Sequence, residues 1–295
     1  MLNAPFPFLS TLASVTSKLA NLSKIQLFTD TSQRLILARG NFSLETYQQT
    51  DFTDLMLDFP ASLEFSVVKR QAEYLAGRYL GRLAMQQSGL FNHTPPQIGI
   101  GLLRAPTWPK VVTGSITHHE YSACAVVLTQ PLAINNFVGV DIELWLSSQQ
   151  ASEIAESIHN PDELHVLVKA GFSNAQATTL IFSAKEALFK AICPFVGEYF
   201  SFDAAELHAC FEFTDNSMIT GRSGWLTLQL TTEWVVARAP QSKYRCWFNC
   251  READVLTLVC SNAANAHWLN SIIEDCRNGE EISEAFILCC SELDH

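Results

Sequence analysis

Apolar residues recur three and four positions apart in several stretches of the chain, which is the pattern of an amphipathic helix. One stretch spans residues 62–88 and is closed by Gly89. A second begins at residues 160–163, where a proline and two acids follow an asparagine, and runs to about Lys169, just before Gly171. The pattern therefore predicts a helix in each of these stretches.

A third helix is predicted over residues 175–192. Its apolar stripe consists of Ala177, Ile181, Ala184 and Leu188. This spacing places the four side chains on one helical face. Asn174 is a residue type that caps helix N-termini, and Pro194 is expected to stop the helix.

Strand-like segments are marked by β-branched and small residues. Residues 115–128 are predicted to form one buried strand and residues 138–144 the next. The uncharged stretch 121–140 contains a proline and three side-chain amides, which indicates two strands around a turn and argues against a membrane helix. Residues 224–236 and 244–259 have strand-like periods and are expected to complete a sheet.

Composition limits the class of protein. A chain of 295 residues with 48% hydrophobic content can bury a core, as one large domain or two modest ones. Its net charge of -11 is opposite to that of a nonspecific nucleic-acid binder, so any anion site must be a local basic patch. Residues 251–295 carry nine acids and two arginines, a net charge of -7, and we expect residues 261–295 to form an acidic tail.

Cysteine usage and the start of the chain bear on the compartment. Nine cysteines are scattered without a repeated short spacing, which favours reduced thiols over a disulfide framework. The first residues lack a basic segment and are interrupted by Pro5 and Pro7, which argues against a signal peptide. We therefore expect a cytoplasmic protein with neither membrane nor nucleic acid as a partner.

The segment Gly-Val-Asp-Ile-Glu at residues 139–143 carries two carboxylates. Side chains two apart in a strand point to the same face, so Asp141 and Glu143 are expected side by side. Such a pair suits Mg²⁺, which takes one or two carboxylates together with substrate phosphates. The alternative is a solvated strand face without a metal.

The segment Phe-Ser-Ala-Lys-Glu-Ala-Leu-Phe-Lys at residues 182–190 places a carboxylate between two ammonium groups. Glu186 and Lys190 are four apart on the predicted helix, and Lys185 lies beside them. The alternative is an ordinary surface ion pair worth a few tenths of a kcal/mol.

A hydroxyl and two histidines follow one another at the start of a predicted strand, in Gly-Ser-Ile-Thr-His-His at residues 114–119. Thr117 and His118 could donate hydrogen bonds to phosphate oxygens. Adjacent strand residues point to opposite faces, so at most one of His118 and His119 can belong to a single site. The alternative for each is an ordinary hydrogen-bonded histidine.

These segments, in this order, resemble the 4'-phosphopantetheinyl transferases, specifically the single-chain, two-lobed group that includes enterobactin-synthase-associated enzymes. The resemblance spans roughly residues 62–259 and rests on five motifs: RQAEYLAGR (70–78), RAPTWP (104–109), GSITHH (114–119), GVDIE (139–143) and FSAKEALFKA (182–191). The last two motifs are the most specific.

The resemblance implies an α+β fold of two similar, pseudo-symmetric lobes, each a small, mostly antiparallel sheet packed with a long helix. The active site is expected in the cleft between them. The implied divisions are an N-terminal lobe at 1–130, a C-terminal lobe at 131–260 and the acidic tail at 261–295. Residues 1–55 and the tail match no motif.

The implied reaction transfers the 4'-phosphopantetheine arm of coenzyme A to a serine of an acyl or peptidyl carrier protein, with Mg²⁺, and releases adenosine 3',5'-bisphosphate. Asp141, Glu143 and Glu186 match the family's Mg²⁺ ligands. Glu186 also matches the candidate general base for the carrier serine, acting directly or through a metal-bound water.

The resemblance further assigns contacts with the phosphates of coenzyme A. Lys185 and Lys190 would stabilise the transferring group from two sides, which gives Lys185 a catalytic role. The remaining phosphate contacts are Thr117, His118, Arg104 and one of Lys69 or Arg70. Ordinary surface basic residues are the alternative for Arg104, Lys69 and Arg70.

Two other functions use the same residues. A Mg²⁺-dependent phosphohydrolase or nucleotidyl transferase would need the same three carboxylates but no carrier protein. A non-catalytic carrier-protein-binding module would keep a vestigial site, although the complete set of charged residues argues against it. Whether the carrier belongs to a siderophore, peptide, polyketide or polyunsaturated fatty-acid synthase is left open by the sequence.

Overall fold

A computed structural model of the chain describes residue 6 and residues 9–30, 34–129, 136–212 and 221–261. Within these ranges it contains two five-stranded antiparallel sheets, each covered on one face by a long helix. The expected α+β fold of two sheet-plus-helix lobes is thereby confirmed. The boundaries at 130 and 260 remain predictions. Residues 262–295, nearly all of the predicted acidic tail, lie outside the described part of the chain.

The first lobe is built on the sheet β1-β2-β3-β7-β6. Its strands are β1 (Leu9–Val15), β2 (Leu22–Asp30), β3 (Leu35–Phe42), β6 (Val112–His119) and β7 (Ser122–Thr129). A separate two-stranded ribbon pairs β4 (Gly99–Ile100) with β5 (Pro106–Thr107). The helices of this lobe are α1 (Asp51–Asp54) and the long α2 (Val68–Gln87).

The second lobe is built on the sheet β8-β12-β11-β10-β9. Its strands are β8 (Val138–Leu144), β9 (Ala205–Glu212), β10 (Ser223–Leu230), β11 (Lys243–Cys250) and β12 (Asp254–Cys260). Its helices are α3 (Ser148–Ile158), α4 (Pro161–Lys169), the long α5 (Asn174–Val196) and α6 (Glu233–Val236).

The strand predicted over 115–128 is in fact a hairpin, and this prediction was wrong. Strands β6 and β7 pair antiparallel, with His119 opposite Ser122 and a two-residue turn between them. The predicted strand at 224–236 likewise ends at Leu230, after which α6 follows. Short-range alternation does not reveal where a strand reverses when both halves are buried.

Helix α5 differs from its prediction at both ends. Ser173, not Asn174, is the N-cap, because its side chain accepts a hydrogen bond from the Gln176 amide. The helix also continues past Pro194 to Val196. Proline at this point removes a single backbone hydrogen bond in the last turns, and the left-handed Gly197 then closes the helix.

Other helix bounds agree more closely. Helix α4 covers the predicted residues, with Asn160 as its N-cap. Helix α2 begins at Val68 rather than at residue 62, and Phe65 in the preceding segment is 94% exposed. Helix α3 was not predicted. None of the helices in the described ranges has both the length and the apolar character needed to cross a membrane.

The two sheets pack through the faces that their long helices leave uncovered. Trp225 and Trp247 from the second sheet join Val126 and Leu128 from the first in one buried cluster. Strands β6 and β8 are edge strands of their sheets and meet at this junction, where the Val140 amide donates to the Ser115 hydroxyl at 3.1 Å. Side chains from both lobes therefore converge along β6 and β8.

Candidate functional site at the junction of the two lobes

Asp141 on β8 lies at the centre of a polar cluster, and the residue is only 2% exposed. Its carboxylate accepts hydrogen bonds from the hydroxyls of Thr117 on β6, at 3.0 Å, and of Ser183 on α5, at 2.9 Å. The Lys190 ammonium on α5 donates to the same carboxylate at 2.5 Å. One buried carboxylate thus ties an edge strand of the first lobe to the long helix of the second.

Glu143 and Glu186 interact electrostatically with Asp141. Burial raises the pKa of Glu143 to about 8, and the neighbouring Asp141 and Glu186 add to this shift while Lys190 opposes it. Burial also raises the pKa of Glu186, with Lys190 opposing and Asp141 adding. The three carboxylates therefore repel one another when ionised, and a further cation would reduce that repulsion.

Lys190 is the cation in this cluster. Burial acts to lower its pKa, but Asp141, Glu186 and Glu143 outweigh burial and raise it. Among the described residues, no group of three or more His, Cys, Asp or Glu side chains is arranged to hold a metal ion. Since the Lys190 ammonium lies against Asp141, a metal could share that carboxylate only if the ammonium moved. The oxygen donors themselves are of the type that Mg²⁺ prefers.

Lys185 does not join this cluster. Its ammonium forms an ion pair with Glu163 on α4 at 2.7 Å and donates to the Ile158 carbonyl at 2.8 Å. Both side chains of the pair are 3% exposed or less. Successive residues of a helix point about 100° apart, so Lys185 and Glu186 face different neighbours. Lys185 therefore faces α4 in this structure, and its expected phosphate contact stays a prediction.

A second polar group lies where α2 meets β6. The Arg70 guanidinium is 3.2 Å from Nε2 of His118, and the Glu73 carboxylate is 3.7 Å from both Nδ1 of His118 and the Arg70 guanidinium. Burial lowers the pKa of His118 to about 4, with Arg70 and Lys190 contributing. The exposed Lys69 precedes Arg70 on the same helix.

Thr117 and His119 are positioned differently from His118. Thr117 is buried, and its hydroxyl is engaged with Asp141 and Lys190 rather than exposed to solvent. His119 points to the other side of β6, where Nε2 lies 3.3 Å from the Asp254 carboxylate. The alternation expected for adjacent strand residues therefore separates the two histidines.

A cleft of about 600 Å³ opens between the lobes beside the carboxylate cluster. Glu186, Phe189 and Lys190 line one side of it. The opposite side includes Arg104 and Trp108, and the Trp108 ring lies so close to Gly114 that a Cβ there would be 2.6 Å from it. Acidic, basic and aromatic side chains thus meet in one concave surface.

Sequence reasoning missed three residues that shape the site. Glu73 and Ser183 lie inside the quoted motifs, but nothing in their spacing marks them as partners of His118 and Asp141. Glu163 appeared only as an acid in the first turn of a helix. Its carboxylate also accepts hydrogen bonds from two backbone amides, those of Asn160 and Leu207.

Comparison with known families matches most of the described chain. Residues 59–128 match the 4'-phosphopantetheinyl transferase N-terminal domain. Residues 137–247 match the 4'-phosphopantetheinyl transferase superfamily. The two matches fall in one lobe each and include every motif quoted above.

Several curated proteins are similar to this chain. Enterobactin synthase component D of Escherichia coli O157:H7 is 42% identical over 137 residues, which is 46% of this chain and 62% of that protein. Enterobactin synthase component D of Salmonella typhimurium is 32% identical over 219 residues, 74% of this chain and 83% of that protein.

4'-Phosphopantetheinyl transferase Npt of Nocardia iowensis is 33% identical over 157 residues, 53% of this chain and 66% of that protein. The matched region thus spans less than two thirds of the Escherichia coli and Nocardia relatives but most of the Salmonella one. With both lobes matched and the Salmonella relative covered at this identity, the chain belongs to the 4'-phosphopantetheinyl transferase superfamily.

Proposed function

We propose that this chain transfers the 4'-phosphopantetheine arm of coenzyme A to a serine of an acyl or peptidyl carrier protein. The observation that carries the proposal is the cluster of Asp141, Glu143, Glu186 and Lys190 at the lobe junction, beside a cleft of about 600 Å³. A cleft of that volume is large enough for a cofactor-sized ligand.

Coenzyme A lies in the cleft with its phosphates against the basic side chains. Arg104 and Lys190 line the cleft itself, and His118 with Arg70 or Lys69 extends the basic surface along β6 and α2. In a chain of net charge -11, this local concentration of positive charge supports an anionic substrate. The Thr117 hydroxyl joins these contacts only after leaving Asp141.

Asp141, Glu143 and Glu186 would hold a bound Mg²⁺. The raised pKa values of Glu143 and Glu186 support this assignment, because crowded, half-buried carboxylates are a binding site for a hard cation. When bound, the ion offsets negative charge on the transferring phosphate. Lys190 moves from Asp141 to the same phosphate and adds its positive charge there.

The reaction breaks one bond of the pyrophosphate and forms one bond to the carrier. The serine oxygen attacks the phosphorus that carries the pantetheine arm, and adenosine 3',5'-bisphosphate leaves with the bridging oxygen. Glu186 accepts the serine proton, and burial raises the pKa of this carboxyl above its ordinary value. Lys185 takes no part in these steps and fixes α5 against α4 through Glu163.

The carrier is proposed to belong to a peptide-type synthase such as a siderophore synthase. Several similar proteins bear the name enterobactin synthase component D, which supports this class over polyketide and fatty-acid synthases. The reaction is placed in the cytoplasm, where coenzyme A and reduced thiols occur together. The six cysteines that the structure describes are all free, which supports that compartment.

The test is the intact mass of an apo carrier domain after incubation with this protein, coenzyme A and Mg²⁺. We expect a gain of one phosphopantetheine group, and no gain when the carrier serine is replaced by alanine. Glu143→Gln should abolish the gain, whereas Glu153→Gln on the exposed face of α3 should not.

Two results would contradict the proposal. Turnover of coenzyme A or nucleotides without any carrier would favour the phosphohydrolase or nucleotidyl transferase. Tight binding of carrier domains, with no mass gain on siderophore, peptide, polyketide or fatty-acid carriers, would favour the non-catalytic module.

A further inference from the structure

His118 lies between a donor and an acceptor, and the two neighbours fix which ring nitrogen carries the proton. A guanidinium can only donate, so Nε2 of His118, 3.2 Å from Arg70, must be the acceptor. The proton of the neutral ring is then on Nδ1, which faces the Glu73 carboxylate at 3.7 Å. Glu73 is buried on α2 and cannot turn away into solvent.

This arrangement cannot receive a phosphate unchanged. A phosphate oxygen accepts hydrogen bonds and attracts the Arg70 guanidinium away from Nε2. If the ring stays neutral with its proton on Nδ1, the lone pair of Nε2 faces a phosphate oxygen, and two acceptors meet. Moving the proton from Nδ1 to Nε2 would instead turn a lone pair towards Glu73. Only a ring with protons on both nitrogens satisfies an acceptor on each side.

We propose that Glu73 is a positioning residue that makes His118 take up one proton when a phosphate of coenzyme A binds beside Arg70. The proton comes from solvent and goes to Nε2, while Nδ1–H keeps facing the Glu73 carboxylate. No other bond changes. The inference rests on the proposed function, because it takes coenzyme A as the ligand.

The charges around His118 make the uptake measurable. Arg70 and Glu73 from α2 face the ring, whereas Lys190 from α5 and Asp141 from β8 act on it only through their charges. Burial, Arg70 and Lys190 hold the pKa of the free ring at about 4, so it is neutral at pH 7. A phosphate dianion replaces the guanidinium at Nε2, and its negative charge raises the pKa of the His118 ring.

The test is calorimetric titration of coenzyme A into the protein at pH 7, in buffers of different ionisation enthalpy. The titration is run in EDTA without Mg²⁺, so that no metal binding at Asp141, Glu143 or Glu186 releases protons during it. We expect uptake of about one proton per coenzyme A, and an affinity that falls by up to about tenfold per pH unit as the pH rises. A phosphate monoester with its second pKa near 6 releases only about 0.1 proton at pH 7.

The Glu73→Gln variant tests whether Glu73 controls the protonation of His118 or only stabilises the fold. A glutamine amide can donate to Nδ1, so the ring can present Nε2–H to the phosphate while neutral. The variant should bind coenzyme A with uptake close to zero and with little dependence on pH. His118→Gln should also lose the uptake. Glu64→Gln, the same change on an exposed residue shortly before α2, should keep it.

Each contrary result has its own meaning. Wild-type protein that binds coenzyme A without taking up a proton overturns the inference and leaves the proposed function intact. Unchanged uptake in Glu73→Gln or in His118→Gln also overturns it. Wild-type protein that does not bind coenzyme A overturns both. The uptake is assigned to His118 by the difference between the wild-type protein and His118→Gln, because Glu143, with a pKa of about 8, also titrates near pH 7.

Discussion

Asp141 is buried, and donors from two elements meet its carboxylate. Hydroxyls of Thr117 and Ser183 and the ammonium of Lys190 surround its carboxylate. Gly139, two residues earlier on β8, allows this approach, since a Cβ there would lie 2.0 Å from the Ala187 carbonyl oxygen and 2.6 Å from the Ala191 amide nitrogen. The absence of one side chain therefore sets the distance between β8 and α5.

Gly139→Ala should disturb the site without changing any charged residue. The new methyl group meets backbone atoms of α5, so the helix must shift and take Glu186 and Lys190 with it. We expect the free energy of unfolding to fall by about 2 kcal/mol, measured by urea denaturation, and transfer to the carrier to fall with it. Gly101→Ala, where the nearest atom is 3.4 Å from the added Cβ, is the matched control. Equal stability of the two variants would contradict the argument.

One face of helix α5 contributes side chains to the cleft, and another face packs against α4. Glu186 and Lys190 face the lobe junction and the cleft, while Lys185 faces α4 and pairs with Glu163. Burial lowers the pKa of Lys185, and the hydrogen bond and charge of Glu163 oppose that shift. A buried ion pair of this kind stabilises little by itself, but losing one partner leaves an uncompensated charge.

Lys185→Met and Lys190→Met should therefore have different effects. Lys185→Met is expected to lower the free energy of unfolding by about 3 kcal/mol, with the coenzyme A affinity of the folded protein retained. Lys190→Met should weaken coenzyme A binding more strongly than Lys185→Met does, because the Lys190 ammonium lines the cleft. Urea denaturation and calorimetry measure the two quantities.

A second substitution checks the reason given for Lys185. Adding Glu163→Gln to Lys185→Met removes the uncompensated carboxylate and should recover part of the lost stability. A stable Lys185→Met variant that binds coenzyme A poorly would instead show that Lys185 contacts the phosphates of coenzyme A.

The two lobes are joined at several points besides the carboxylate cluster. Their inner sheet faces share an apolar core, and Asp254 on β12 contacts His119 on β6 and Arg39 on β3. Arg251 forms a further ion pair with Asp254. The relative position of the lobes, and with it the site, therefore depends on long-range contacts that the inner face of β6 and strand β3 make with the second lobe.

Asp254→Asn should loosen this junction. The variant removes the charge that faces His119 and Arg39, and we expect a loss of about 2 kcal/mol in the free energy of unfolding. A double-mutant cycle with His119→Gln should give a coupling energy of about 0.5 kcal/mol or more, because the two side chains are in contact. Asp58→Asn, on an exposed residue of the first lobe, is the control. Additive effects of the two substitutions would show that the contact contributes nothing.

The sequence by itself determined the features that depend on neighbours along the chain. Carboxylates two apart on β8, Glu186 and Lys190 four apart on α5, and the bounds of α4 all follow from backbone periodicity and capping. The order of the motifs was also enough to indicate the family. The same local rules did not reveal the reversal between β6 and β7, because β-branched and small residues occur in both strands.

Only the tertiary structure decided which distant side chains meet. Lys185 and Glu186 are adjacent in sequence, yet one contacts Glu163 on α4 and the other lies in the cleft. Glu73 contacts His118 on β6, a strand that follows it some forty residues later in the chain. Hydrogen bonds and ion pairs depend on distance in space, and that distance is set by the packing of two sheets rather than by spacing along the chain.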